Sequence, residues 1–183
     1  MRSRRYLKDY KLTPEVTAKG RLSPVASYVG AWHRFTAEPL ELDRAKKLYI
    51  ALTAAAVVLL LVQLWYTNLL DRERRYLLLP MAFNIFPAFG TVMGVARLRS
   101  APERMTLKQR DRICNRLPAF SLGFFVFAVL SFIATVVQLI LHGVTLPTAL
   151  YCADALVLSV LTFFIFRLRK ILKTEVLPGE SSD

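Results

Sequence analysis

Four apolar stretches, at about 48–70, 76–96, 118–141 and 147–166, limit what this 183-residue chain can become. Each is close to the roughly 20 residues that carry an α-helix across about 30 Å of hydrocarbon. Backbone placed in hydrocarbon must satisfy its own N–H and C=O groups, so such stretches read as helices and not as open strands. The expected fold is an all-α integral membrane protein built as a four-helix transmembrane bundle. The bundle takes up 37–172, after a basic segment at 1–36 and before a short tail at 173–183. Removing the spans leaves too little chain for a second soluble core, so a single domain is expected.

Charge orients the spans. Lys and Arg outnumber Asp and Glu by 25 to 13, a net +12. In a soluble chain that excess would suggest nucleic acid, but in a multi-span chain cytoplasmic loops collect cations. Four cations precede the first span (Arg34, Arg44, Lys46, Lys47). Seven lie between the second and third spans, from Arg97 to Arg116, and Arg167, Arg169, Lys170 and Lys173 follow the fourth. Only Arg72, Arg74 and Arg75 fall on the other side. The distribution predicts a cell-membrane protein with both termini and the middle loop cytoplasmic, and no nucleic-acid partner. Anionic lipid headgroups are the expected partners of that basic face.

Segment 1–36 is basic, aromatic and interrupted by Pro14, Gly20, Pro24 and Gly30. Two β-prone runs around Ala18-Lys19-Gly20 admit a β-hairpin, with Gly20 at the left-handed position. Tyr6, Tyr10, Tyr28, Trp32 and Phe35 among the cations fit a segment lying on anionic lipid; a solvated basic tail fits the composition equally well. The first helix is expected to start with Thr36 as N-cap and Glu38 and Pro39 in its first turn. The middle loop at 97–117 has room for a short surface helix around 106–116, while the loops at 71–75 and 142–146 are too short for any ectodomain. No apolar h-region occupies the first 30 residues, so the first span is expected to act as the insertion signal.

Polar residues inside the spans show which face turns inward, because lipid penalises them. Ser131, Thr135, Gln138 and His142 form one helical stripe in span 3, and Pro80, Asn84, Pro87 and Thr91 repeat that spacing in span 2. Span 4 offers Tyr151, Asp154 and Thr162, and span 1 offers Gln63 and Thr67. Counted from the outer span ends, Gln63, Asn84 and Asp154 fall at similar depths, with Gln138 shallower and His142 at the rim. The candidate intramembrane cluster is therefore Gln63, Asn84, Gln138, His142, Tyr151 and Asp154. Asp154 is the sole acid within any span. One reading makes it interhelical glue, hydrogen-bonded by Gln138 and Tyr151; the other makes it a proton- or cation-binding carboxylate, with His142 as relay. The glue reading is preferred, since small bundles fix helix register in this way.

Gly90-x-x-x-Gly94 and Ala51-x-x-x-Ala55 lie near the same end of spans 2 and 1, and are expected to let those two helices approach closely or to serve a homodimer. Pro80 and Pro87 are expected to kink span 2. There is no H-E-x-x-H, G-x-S-x-G or P-loop pattern, and the isolated Cys114 and Cys152 make no metal or disulfide pattern. No catalytic, metal or cofactor site is expected. The leading expectation is a non-enzymatic accessory or regulatory subunit acting through lipids, a protein partner or a homo-oligomer. The alternative is an oligomeric small-solute or ion transporter using Asp154, with a membrane-embedded enzyme third.

Overall fold

The computed structural model describes residues 9–16, 22–67 and 78–177. Among these, helix α1 spans Pro39–Thr67, α2 Leu78–Arg99, α3 Leu107–His142 and α4 Leu146–Arg167, the last continued by a 3₁₀ turn over Leu168–Leu172. All four are long and apolar enough to cross a membrane, as a multi-pass membrane protein requires. The loop at 71–75, the predicted turn at 18–20 and the side chain of Thr67 lie outside the described residues.

The helices form an antiparallel ring in chain order, with α1 packed on α2, α2 on α3, α3 on α4 and α4 back on α1. Only 28–39% of each apolar window is buried, so most of the helix surface faces outward. That outward surface carries Trp65, Phe86 and Phe89, each at least 67% exposed. In water such a surface would drive aggregation; in a bilayer it is the solvent-matched side. The inward stripe of α1 is Tyr49, Thr53, Ala56, Leu60 and Gln63, alternating steps of three and four as a helix demands.

Local chemistry explains where the helices begin and end. Thr106 caps α3 with a capping box, accepting from Gln109 N at 3.3 Å while Gln109 Oε1 accepts from Thr106 N at 3.0 Å. Thr145 and Thr148 make the equivalent exchange at the start of α4, and Gly143, at φ +77°, ends α3 in a conformation that suits glycine. Two expectations need correction here. Instead of a separate surface helix, residues 107–116 form the first turns of α3, which stays continuous through a π turn at Asp111–Asn115. Helix α1 starts at Pro39, with Leu42 N donating to Glu38 O at 2.9 Å, so Thr36 lies too far ahead to cap it; its own N instead donates to Lys173 O at 3.0 Å.

That bond belongs to a joint closing the end of the bundle where α1 and α3 begin. Strand β1 (Tyr10–Val16) pairs antiparallel with β2 (Leu22–Tyr28), and β3 (His33–Phe35) pairs antiparallel with β4 (Thr174–Val176). His33 also exchanges two backbone bonds with Met105, at 2.9 and 2.8 Å, and Leu177 N donates to Trp32 O at 2.9 Å. The Tyr28 hydroxyl donates to Ala31 O at 2.9 Å and accepts from Leu107 N at 3.0 Å. Segments from both ends of the chain and its middle are thus knitted into one platform, whose buried side is Phe35, Met105 and Leu172.

Candidate functional site

Five of the six residues singled out by sequence line the interior. Gln63, Asn84 and Tyr151 have no exposed surface, Gln138 keeps 1% and Asp154 8%. His142 does not join them; it is exposed in the last turn of α3. Each ring helix therefore contributes at least one polar end to the interior.

The side chains closest in size to a hydroxyl satisfy themselves. Thr91 bonds Pro87 O, Ser121 bonds Leu117 O, Thr135 bonds Ser131 O, and Ser159 and Thr162 bond Ala155 O and Leu158 O, all at 2.7–2.8 Å one turn back. The carboxamides are too long for that solution. Both polar atoms of Gln63, Asn84 and Gln138 lack a hydrogen-bond partner among the described residues, as does Asp154 Oδ2. Ser131 Oγ and the Tyr151 hydroxyl approach to 3.4 Å, a distance at which little hydrogen-bond energy remains.

Interhelical contacts fix the stagger, and the polar groups do not share one level. Phe83 stacks on Phe127 with ring centroids 6.0 Å apart, which places Asn84 beside the Phe127 turn of α3. Gln138 lies eleven residues further on, about 16 Å along the axis at roughly 1.5 Å per residue. Leu64 shares a groove with Met81 and Ile85, so Gln63 is level with Asn84. The Ser131–Tyr151 approach puts the Tyr151 hydroxyl between these two levels, with Asp154 three residues deeper along α4. The arrangement is a ladder, with Gln63 and Asn84 at mid-depth, the Tyr151 hydroxyl above them, and Gln138 with buried Thr148 near the α3–α4 turn.

The small residues also face elsewhere than expected. A Cβ on Gly90 would fall 2.3 Å from the Phe120 ring, and one on Gly94 2.8 Å from Leu117. The glycine pair therefore serves the approach of α2 to α3, with Gly123 of α3 close on Pro87, and not the approach to α1. Ala51 and Ala55 are exposed on the outer face of α1.

Sequence reasoning missed two groups. Tyr49 and Thr53, on the inner stripe of α1, are buried with hydroxyls that have no partner among the described residues. The i, i+4 spacing could have identified them, but both fit an ordinary apolar face. The second group is the joint around His33, which is buried with Nδ1 unpartnered. Burial, and then the Arg110 guanidinium, hold the His33 imidazole below its ordinary pKa. Arg110 itself donates from Nε to Thr174 Oγ1 at 2.9 Å, so the charge is fixed against β4. Phe35, expected among lipid-surface aromatics, is buried in the core, and the Tyr28 hydroxyl is committed to the joint.

Among the described residues no group of three or more His, Cys, Asp or Glu could hold a metal ion. Comparison with protein-family models, with curated proteins and with solved structures finds no match.

Proposed function

We propose that this protein is a non-enzymatic membrane subunit that works through lipids and partner proteins at its basic end, with no solute passing through its interior. The observation that carries this reading is the sealing of the ladder: Gln63 and Asn84 are wholly buried and Gln138 almost so. A transport path needs polar groups that water or solute can reach from one side. By contrast, the joint gathers three segments into an ordered surface surrounded by Arg104, Lys108, Arg169 and Lys170. In this reading both termini and the 97–117 connection face the cytoplasm of the cell membrane, where anionic headgroups attract such cations by about 1 kcal/mol each. A homo-oligomer is compatible with it.

Two measurements test the proposal. Cysteine labelling in intact cells should place Cys114 and a cysteine at Lys173 on the side opposite one at Val144; a Cys114 open to the outside would reverse the orientation. Purified protein in proteoliposomes should pass no protons or monovalent cations above empty vesicles under a pH or potential gradient. The second reading, a proton- or cation-coupled transporter, draws on the residual exposure and unbonded Oδ2 of Asp154. Flux that disappears in Asp154→Asn while the fold survives would establish it and overturn the first.

A further inference from the structure

Two depressions lie along α1, one against the β3 segment and the 101–103 connection and one against α2, and their linings differ in kind. One, of about 480 Å³, sits at the basic end, where Phe35, Leu42, Ala101 and Pro102 form an apolar floor. Its rim carries two cations, Arg34 and Lys46, and three carboxylates, Glu38, Asp43 and Glu103. The other, of about 260 Å³, is wholly apolar and lies further along α1, between Val57, Leu61 and Leu64 of α1 and Ile85, Phe89 and Val92 of α2. Lys46 and Val57 are eleven residues apart, three turns at about 3.6 residues per turn, so both depressions fall on one stripe of α1. One face of α1 thus carries a polar depression at the end of the bundle and an apolar groove along the spans.

From this geometry we infer that the two depressions on this face of α1 together seat one phospholipid carrying a primary amine in its headgroup, whose chain bridges the stretch between them. The amphipathic order of this face is that of a glycerophospholipid, with the headgroup at the interface and an acyl chain along the spans. The rim charges choose the headgroup. Arg34 is engaged by Glu175 at 3.1 Å and Asp43 by Lys47 at 2.8 Å. That leaves Lys46 to meet a phosphate, and Glu38 and Glu103 to meet an ammonium. Although the whole chain is strongly cationic, this rim carries one more carboxylate than cation. A purely anionic headgroup would therefore face repulsion here, whereas phosphate plus ammonium finds both partners. The quaternary amine of a choline headgroup has no N–H to donate to the carboxylates and binds them more weakly.

The inference requires only that the four helices sit in a bilayer, so it can fail while the sealed-interior reading stands, and the reverse. The full chain, reconstituted in nanodiscs with equal parts phosphatidylethanolamine, phosphatidylcholine and phosphatidylglycerol, would be released into mild detergent and its retained lipid weighed by native mass spectrometry. Phosphatidylethanolamine should be retained about fivefold over either competitor, the factor that one to two rim ion pairs supply. The double variant Glu38→Gln with Glu103→Gln, both at exposed positions, should lose the headgroup preference and keep its thermal midpoint. Leu61→Trp, which fills the apolar groove, should lower retention of all three lipids. Equal retention of the three by the wild-type chain, a phosphatidylglycerol preference, or a preference that survives the double variant would each overturn the assignment. The wild-type competition needs no variant to fold.

Discussion

The α2–α3 and α1–α2 junctions are built from similar apolar residues, yet one is tight and the other is open. At α2–α3, Gly90, Gly94 and Gly123 remove the Cβ atoms that would hold the backbones apart, and Phe120, Leu117 and Pro87 occupy the space they leave. At α1–α2 there is no glycine on α1, and Leu60, Leu61 and Leu64 meet Ile85, Phe89 and Val92 across a groove. Lipid tails are as apolar as leucine, so membrane helices gain little from simple apolar contact and depend on close packing. Where small residues permit that packing the helices close up; where they are missing, a furrow remains for lipid to fill.

The largest effect is expected from breaking the tight junction. Gly90→Leu drives a side chain into the near end of the Phe120 ring, where Phe120 cannot yield by rotating its tip alone. Overpacking of this kind costs about 1–3 kcal/mol or more, so the thermal midpoint in detergent should fall by many degrees or the protein should fail to fold. Ala55→Leu, on the exposed face of α1, should leave the midpoint unchanged within error. A tolerant Gly90 and a sensitive Ala55 would mean that the tight and open junctions have been assigned the wrong way round.

How much of this could be read from the sequence follows from the range of the interactions involved. The four spans are local patterns of about twenty residues, and hydropathy finds them. The inward stripes are also local, so the spacing of Asn84 and Thr91, of Ser131, Thr135 and Gln138, and of Tyr151, Asp154 and Thr162 identified buried faces correctly. Which neighbour a stripe meets is not local. Gly90 and Gly94 lie on a face whose partner depends on the rotation of α2 within the ring, and this assigned them to α1 when they serve α3. The joint was hidden for a related reason. Strands of three residues carry almost no periodic signal, and Arg34 meets Glu175 across 141 positions of chain. Thr36 is a good cap by type, but a long-range pairing with Lys173 keeps its backbone with the strands and the helix begins only at Pro39.

The ladder gives a second, smaller contrast, between polar groups that bond to their own helix and those that do not. Removing a buried polar group that has no partner relieves a desolvation cost, whereas removing a paired one exposes its partner. Gln63→Leu and Asn84→Leu should therefore be neutral or stabilising by up to about 1 kcal/mol. Asp154→Asn should be close to neutral as well. A loss of stability in either Leu variant would mean that the two carboxamides, level on neighbouring helices, pair with each other or with water in the bilayer. The self-bonded Thr91 and Thr162 should tolerate replacement by Val or Ala with equally small changes.

The joint lines the polar depression at the head of α1 through Arg34, Phe35 and Thr36, so its stability governs whether that depression keeps its form. His33 makes this dependent on pH. Its pKa is lower in the folded protein than in the unfolded chain, so the unfolded chain binds the proton more readily, and stability falls as pH drops below the ordinary histidine value of about 6.5. Above that value the imidazole is neutral in both states and contributes no slope. Hydrogen exchange, corrected for intrinsic rates, should show the amides of His33, Thr36, Met105 and Leu177 losing protection from pH 7.5 to 5. His33→Gln should abolish the difference. A joint equally protected at both values would remove His33 as its weak point.

The smallest effect is expected at the ion pair that, among the described residues, spans the joint. Arg34 Nη2 and Glu175 Oε1 lie 3.1 Å apart, but their side chains are 58% and 46% exposed. Exposed pairs are screened and contribute about 0–1 kcal/mol, whereas the backbone bonds of β3 with β4 and of His33 with Met105 are shielded by buried Phe35 and Met105. Glu175→Gln should therefore lower joint protection by less than a factor of five, and the difference should shrink in high salt, since surface charges separated from one another are screened within about 10 Å at 0.1 M. It should also free Arg34 to face the polar depression, shifting the rim toward positive charge. A Glu175→Gln protein that opens the joint as widely as protonated His33 would show that the platform is held by charge, and that the backbone ladder contributes little to keeping the polar depression at the head of α1 in shape.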